Sequence, residues 1–172
     1  MPGNKGFTLV ELMITILIAA IALTFAAPSF SNLIEKSRVR TTTEDLMDLL
    51  QISRLVAVEQ RNNVKICGSS DQVNCDAQWG EGILAIKVDE NGNTLETIGS
   101  FAVNEKVSVI KKNPNQVTLD YNATGWLPGD QTRFEICPIG GKQQNAYKLV
   151  IAMSGKVTKV ASSSSDSYCT NS

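Results

Sequence analysis

From Phe7 to Ala27 the chain runs for 21 residues with a single charge, Glu11. As an α-helix, at about 1.5 Å per residue, such a run reaches about 30 Å, the thickness of a bilayer's hydrocarbon core. No other stretch limits the fold as strongly. A carboxylate inside a membrane costs roughly 3 kcal/mol or more and usually has a dedicated partner. The apolar run therefore raises the question of what Glu11 meets.

Whole-chain properties narrow the answer. The length, 172 residues, allows one domain of ordinary size beyond the apolar segment. A formal net charge of −1 gives no general attraction to nucleic acid or anionic membranes. The chain has no histidine, so the commonest general base and metal ligand is missing. No nucleophile, base or metal constellation stands out. The expectation is a protein that is not an enzyme, with no cofactor and no metal.

Residues 1–27 could be read as an ordinary secretory signal, with Lys5 ahead of an apolar run and small residues at Ala26 and Ala27. Two features oppose that. Glu11 sits at the entry to the run, and the run exceeds the usual 7–15 apolar residues. A plain transmembrane anchor leaves Glu11 unexplained.

The helical pattern continues beyond the apolar run. Phe30, Leu33 and Ile34, then Leu46, Leu49, Leu50, Ser53, Val56 and Ala57, recur at three- and four-residue spacing, an amphipathic stripe. Pro28 is expected to kink the helix, because proline removes a backbone hydrogen bond and clashes with the preceding turn. Lys36, Arg38 and Arg40 read as a solvated face, with lipid head groups as the alternative. The helix should stop near Asn62-Asn63, two residues weak in helix.

From Val64 the period becomes strand-like. Strands are expected near 64–67, 82–88, 94–101, 107–112, 116–121, 132–137, 147–153 and 156–160. Turn signals such as Asn91-Gly92-Asn93, Gly140-Gly141 and Ser154-Gly155 separate several of them. This pattern predicts an antiparallel sheet packed on residues 46–58. The fold class is α+β: a long N-terminal helix, half transmembrane and half amphipathic, on an antiparallel β-sheet domain.

The four cysteines, Cys67, Cys75, Cys137 and Cys169, allow three disulfide connectivities. Behind a membrane-targeting segment they favour two bridges in an oxidising compartment. Cys67 and Cys75 bracket a short polar loop that is easy to close, which leaves Cys137 with Cys169. A four-cysteine metal site is the rival reading, but no Cys-x-x-Cys pair supports it.

Lys5-Gly6-Phe7-Thr8-Leu9-Val10-Glu11-Leu12-Met13 resembles the leader and mature N-terminus of type IV pilins and type II secretion pseudopilins. Further along, Glu44-Asp45-Leu46, Ser53-Arg54, Trp79-Gly80-Glu81-Gly82-Ile83, Phe134-Glu135-Ile136-Cys137 and Ser154-Gly155-Lys156-Val157 resemble the GspH/FimT subgroup. The resemblance implies that a prepilin peptidase cuts after Gly6 and methylates Phe7. It implies that Glu11 is the assembly carboxylate and that Pro28 is the helix-kinking proline. The parts would be a leader (1–6), a transmembrane assembly half-helix (7–29), an amphipathic half-helix (30–62) and a β-rich head (63–172).

The implied function is that of a minor pilin that helps start a type IV pilus and sits near its tip. Its partners would be the prepilin peptidase, other minor pilins, the major pilin and the inner membrane, with the head in the periplasm before assembly. The physics agrees. Cleavage leaves a cationic amine on Phe7, and a carboxylate on a neighbouring helix neutralises it at one stagger.

Two alternatives stay open. A type II secretion pseudopilin is nearly indistinguishable by sequence. A DNA receptor for natural transformation is the other, because FimT-type subunits bind DNA through a Gly-Arg-x-Arg motif. Here Gly155-Lys156-Val157-Thr158-Lys159 departs from that motif at the second basic position. Neighbours in a strand face opposite ways, so Lys159 does not stand in cleanly for it. Lys156 and Lys159 are the candidate DNA contacts, with Lys142 and Lys148 as further cations; solvated lysines are the plainer reading.

Asp89-Glu90-Asn91-Gly92-Asn93 has alternating oxygen ligands, as part of a calcium loop does, but an Asn-Gly hairpin turn explains the same residues. Trp79 and Trp126 are each expected to fold over the sheet edge, with a contact to another pilin as the alternative.

Overall fold

The computed structural model describes residues 6–112, 117–129, 131–163 and 169; the side chains of residues 25–28 are outside the description. The chain forms two compact units, Met1–Ile34 and Glu35–Ser172. One helix, α1, runs Leu9–Gln60, 52 residues.

Its ends are set locally. At the start, Thr8 Oγ1 accepts the backbone N–H of Glu11 at 3.3 Å, and the Thr8 carbonyl accepts that of Leu12. Thr8 and Glu11 have the spacing of a capping box. At the end, Arg61 turns into the left-handed region, with φ 51°. Asn62 Nδ2 then donates to the Gln60 carbonyl at 2.8 Å. A left-handed residue at this point is a common helix stop.

In the first unit every large apolar side chain from Phe7 to Leu23 is more than half exposed. The hydroxyls of Thr15 and Thr24 donate back to the carbonyls of Leu12 and Ile21, at 2.8 and 2.7 Å. Their polarity is thus satisfied within the helix, as an apolar surrounding requires. Pro28 and the kink expected there fall among the side chains outside the description.

In the second unit the helix presents Val39, Leu46, Leu50 and Ala57 to a single core. Eight strands follow: β1 (Asn63–Gly68), β2 (Gly82–Val88), β3 (Thr94–Ala102), β4 (Val107–Lys112), β5 (Thr118–Tyr121), β6 (Thr132–Pro138), β7 (Tyr147–Ile151) and β8 (Val157–Ala161). All pairings are antiparallel. They form two four-stranded sheets, ordered β3-β2-β1-β5 and β4-β6-β7-β8. The sequence pattern suggested one sheet. The division arises because β4 leaves β3 to pair with β6, while β5 returns to β1.

Both sheets contribute to the core: Ile66, Ile83 and Ala85 from the first, Phe134, Ile136 and Leu149 from the second. Each large apolar side chain so buried contributes roughly 1.5–3 kcal/mol. Strand β2 is apolar on both faces because Leu84, Ile86 and Val88 form a second small cluster with Cys67 behind the first sheet. Trp79 is a core residue, 8% exposed, its ring 5.0 Å from that of Phe134. Trp126 is 53% exposed, so the two tryptophans have different environments.

Cys67 is bonded to Cys75 and Cys137 to Cys169, with Cα separations of 5.6 and 5.8 Å. The loop inside the first bond is organised by carboxylates. Asp71 accepts the backbone N–H groups of Val73 and Asn74 and the Asn74 side-chain amide, at 2.8, 2.7 and 2.8 Å.

Candidate functional site

The N-terminal segment is the first candidate. Gly6 has open space around its Cα, and Phe7 is the most exposed large apolar side chain described. Glu11 lies in the first turn of α1, four residues after Phe7. There the partial positive charge of the helix N-terminus favours an anion. Thr8, which the sequence reading passed over as part of the motif, is the residue that caps this turn. The Thr-x-x-Glu spacing was the signal for it. Among the described residues no single helix is long and apolar enough to cross a membrane alone; Leu9–Thr24 and Ser29–Gln60 meet the length and composition together.

Several polar contacts attach the head to its helix, among them Lys87 Nζ donating to Gln60 Oε1 at 2.7 Å. Glu35 Oε1 accepts the backbone N–H of Lys142 and the side-chain amide of Asn145, both at 2.8 Å. Gly141 lies so close that any Cβ there would run into the Glu35 carboxylate. Arg40 and Lys159 both reach Glu44 Oε1, at 2.9 and 3.3 Å, and hold its carboxyl below the usual range, Arg40 foremost. Arg54 Nε donates to the Gly125 carbonyl at 3.1 Å.

These contacts separate the two lysines of the Gly155–Lys159 stretch. Lys159 faces the helix, paired with Glu44, with its ammonium 5.7 Å from the centre of the Tyr147 ring. Lys156 is exposed and lines a groove of about 740 Å³ beside the C-terminal turns of α1. Strand alternation puts Thr158 on the other face from Lys159. The two cations are therefore not presented together. Lys148 pairs across to Glu135 and Val160, on the face opposite Lys159. Lys142 follows the Gly140-Gly141 turn.

Gly155 is needed for another reason. Its φ is +79°, and a Cβ there would collide with the Gly125 carbonyl oxygen and the Arg54 side chain. The Asp89 loop is a hydrogen-bonded turn: Asp89 Oδ1 accepts the N–H groups of Asn91 and Asn93, and Gly92 has φ +84°. These bonds, those to Asn93 foremost, hold the Asp89 carboxyl below the usual range.

A long helix with an apolar, uncovered N-terminal half and a C-terminal half packed on an antiparallel β domain is the architecture of a pilin-like fold. Comparison with known proteins narrows it. Residues 1–27 match the prokaryotic N-terminal methylation motif, and residues 42–155 match the type II transport protein GspH. The chain belongs to the GspH family, structural subunits of the minor pilin and pseudopilin kind. The methylation motif implies processing by a prepilin peptidase, and the family implies other pilins as partners.

Solved structures share the fold, two of them of different machines. The type IV minor pilin FimU of Pseudomonas aeruginosa is 23% identical, with a TM-score of 0.60 over 78% of this chain and 95% of that one. The minor pseudopilin EpsH of the Vibrio cholerae type 2 secretion system is 8% identical, with a TM-score of 0.56 over 72% of this chain and 97% of that one. A comparison with curated proteins gives no match.

Proposed function

We propose that the protein is a minor pilin that helps initiate a type IV pilus and lies near its tip. The uncovered apolar helix carries this reading. From Phe7 to Leu23 all large apolar side chains are open, far more surface than a solitary soluble chain leaves exposed. Lipid covers it before assembly and neighbouring helices cover it afterwards. Gly6 and Phe7 are the processing site, and the head waits in the periplasm. Glu11 meets the Phe7 amine of an adjacent subunit, each charge removing the other's cost in low dielectric. Pro28 is the point where the helix bends between its two halves. The chain is a substrate of the peptidase and has no catalytic role of its own.

The test is Glu11→Ala in the full chain. Immunoblots should show cleavage largely unchanged, while the amount in sheared fibres falls about tenfold or more, as expected when a buried ion pair loses one member. Normal incorporation of that variant would remove the assembly role.

A second reading, a type II secretion pseudopilin, draws on the shared fold with EpsH. Neighbouring genes separate the two: minor-pilin genes favour the pilus, secretion genes the other machine. DNA reception is less favoured, because Lys159 is occupied by Glu44. Gel-shift titration at low salt tests it, with binding lost on Lys156→Ala as the outcome that would restore it.

A further inference from the structure

The bond between Gly6 and Phe7 lies just ahead of α1. Gly6, Phe7 and Thr8 are exposed and belong to no helix or strand, and the helix starts at Leu9. Thr8 closes that start in two ways. Its carbonyl accepts the Leu12 N–H at 3.2 Å, the first bond of the helical ladder, and its Oγ1 accepts the Glu11 N–H at 3.3 Å. The Gly6 carbonyl, two residues earlier, is outside the ladder. Among the described residues nothing donates to it, and the space around Gly6 is open.

The residues on either side do not fix this start without Thr8. The aliphatic residues after it are poor caps, and Gly6 is the nearest good one upstream. With the Thr8 cap lost, the helix extends to Phe7 and Gly6 becomes the cap. Its carbonyl then accepts the N–H of Val10, four residues on. A peptide bond held in the ladder must open locally before an enzyme can take it up. Fraying of the first turn is the costlier response at an apolar boundary, because it leaves backbone N–H groups unpaired.

We propose that Thr8 is a positioning residue for leader removal: its cap sets the start of α1 at Leu9 and so keeps the Gly6 carbonyl free for attack. This role rests on the reading of Gly6-Phe7 as the processing site. Cleavage there consumes one water. The water oxygen joins the Gly6 carbonyl carbon, the bond to the Phe7 nitrogen breaks, and both water hydrogens end on that nitrogen. The leader leaves with the Gly6 carboxylate and the mature chain keeps the Phe7 ammonium. Thr8 takes no part in the bond change and acts only through where the helix begins.

The experiment follows leader removal from the uncleaved full-length chain, in detergent micelles, by a purified prepilin peptidase. Initial rates are read from the mass lost with residues 1–6. Thr8→Ala and Thr8→Val remove the cap, whereas Thr8→Ser, Thr8→Asn and Thr8→Gly keep one. The two cap-free variants should be cleaved about fivefold more slowly, and the other three at close to the wild-type rate. Val and Gly decide between capping and recognition of the side chain, because Val keeps the shape of Thr and Gly keeps none of it. In the uncleaved chain the Val10 amide should exchange more slowly in Thr8→Ala than in the wild type, since Gly6 now accepts it.

Thr8→Val cleaved at the wild-type rate, Thr8→Gly or Thr8→Asn as slow as Thr8→Ala, or unchanged exchange at Val10 would each overturn the role of Thr8. A wild-type chain left uncut, or cut after another residue, would remove the processing reading and this role with it. Cleavage after Gly6 with the wrong order of variants removes the role of Thr8 alone.

Discussion

Asp71 shows how one carboxylate can organise a loop. It accepts hydrogen bonds from both the backbone and the side chain of Asn74, and from the backbone of Val73. These bonds, the Asn74 backbone bond first, hold its carboxyl far below the usual carboxylate range. The sign of the pH dependence follows. A group whose folded pKa is depressed stabilises the fold above its unfolded pKa and loses that contribution as pH falls through the folded value. The loop should therefore be unchanged at pH 5 and begin to loosen below about pH 4. Hydrogen exchange at the Val73 and Asn74 amides, corrected for intrinsic rates, reports it. Asp71→Asn should loosen the loop already at pH 7 and remove Asp71's share of the acid effect.

At the scale of elements, the sequence revealed the pieces better than their arrangement. In the stripe Leu46, Leu49, Leu50, Ser53, Val56 and Ala57 helical period and burial coincide, since all are buried but Val56, which is half-buried; Phe30, Leu33 and Ile34, read as its earlier part, are exposed. The eight strands could be read from period and turn residues. Their division into two sheets could not, since strand pairing joins residues far apart in sequence and both sheets place apolar faces on the same helix. The tryptophans illustrate the same limit: each neighbours glycines, yet Phe134 meets only Trp79. Similarly, the placement of Lys159 depends on Glu44, 115 residues earlier.

Glu35 is another long-range partner with no local signal. It joins α1 to the turn between β6 and β7 through Lys142 and Asn145. Glu35→Ala should cost about 1–2 kcal/mol, the loss of two charge-assisted bonds at a half-buried site. Urea unfolding of the detergent-solubilised chain measures it, and Glu35→Gln should recover part of the loss.

For the molecule as a whole, the two disulfides should contribute unequally. In the chain-entropy model, closing an 8-residue separation gives about 2.5 kcal/mol and a 32-residue separation about 3.7 kcal/mol. Replacing Cys137 and Cys169 together by serine should therefore lower the urea midpoint more than replacing Cys67 and Cys75. The reverse order would mean that the shorter loop, beside the small Cys67 cluster, stabilises through its packing instead.

The longer bond also links the head's maturity to the order of synthesis. Cys137 ends up on β6, but its partner is made 32 residues later. At a translation rate of about 5–20 residues per second, the first thiol waits roughly 2–6 seconds for the second. Throughout that interval Cys75 is already available to it. Correct pairing thus favours a chain in which Cys67 has claimed Cys75 before Cys137 emerges, so the small local loop acts as a chaperone for the larger one. A head oxidised before that local loop closes would be trapped with its cysteines mismatched, leaving β8 held by its pairing with β7 alone.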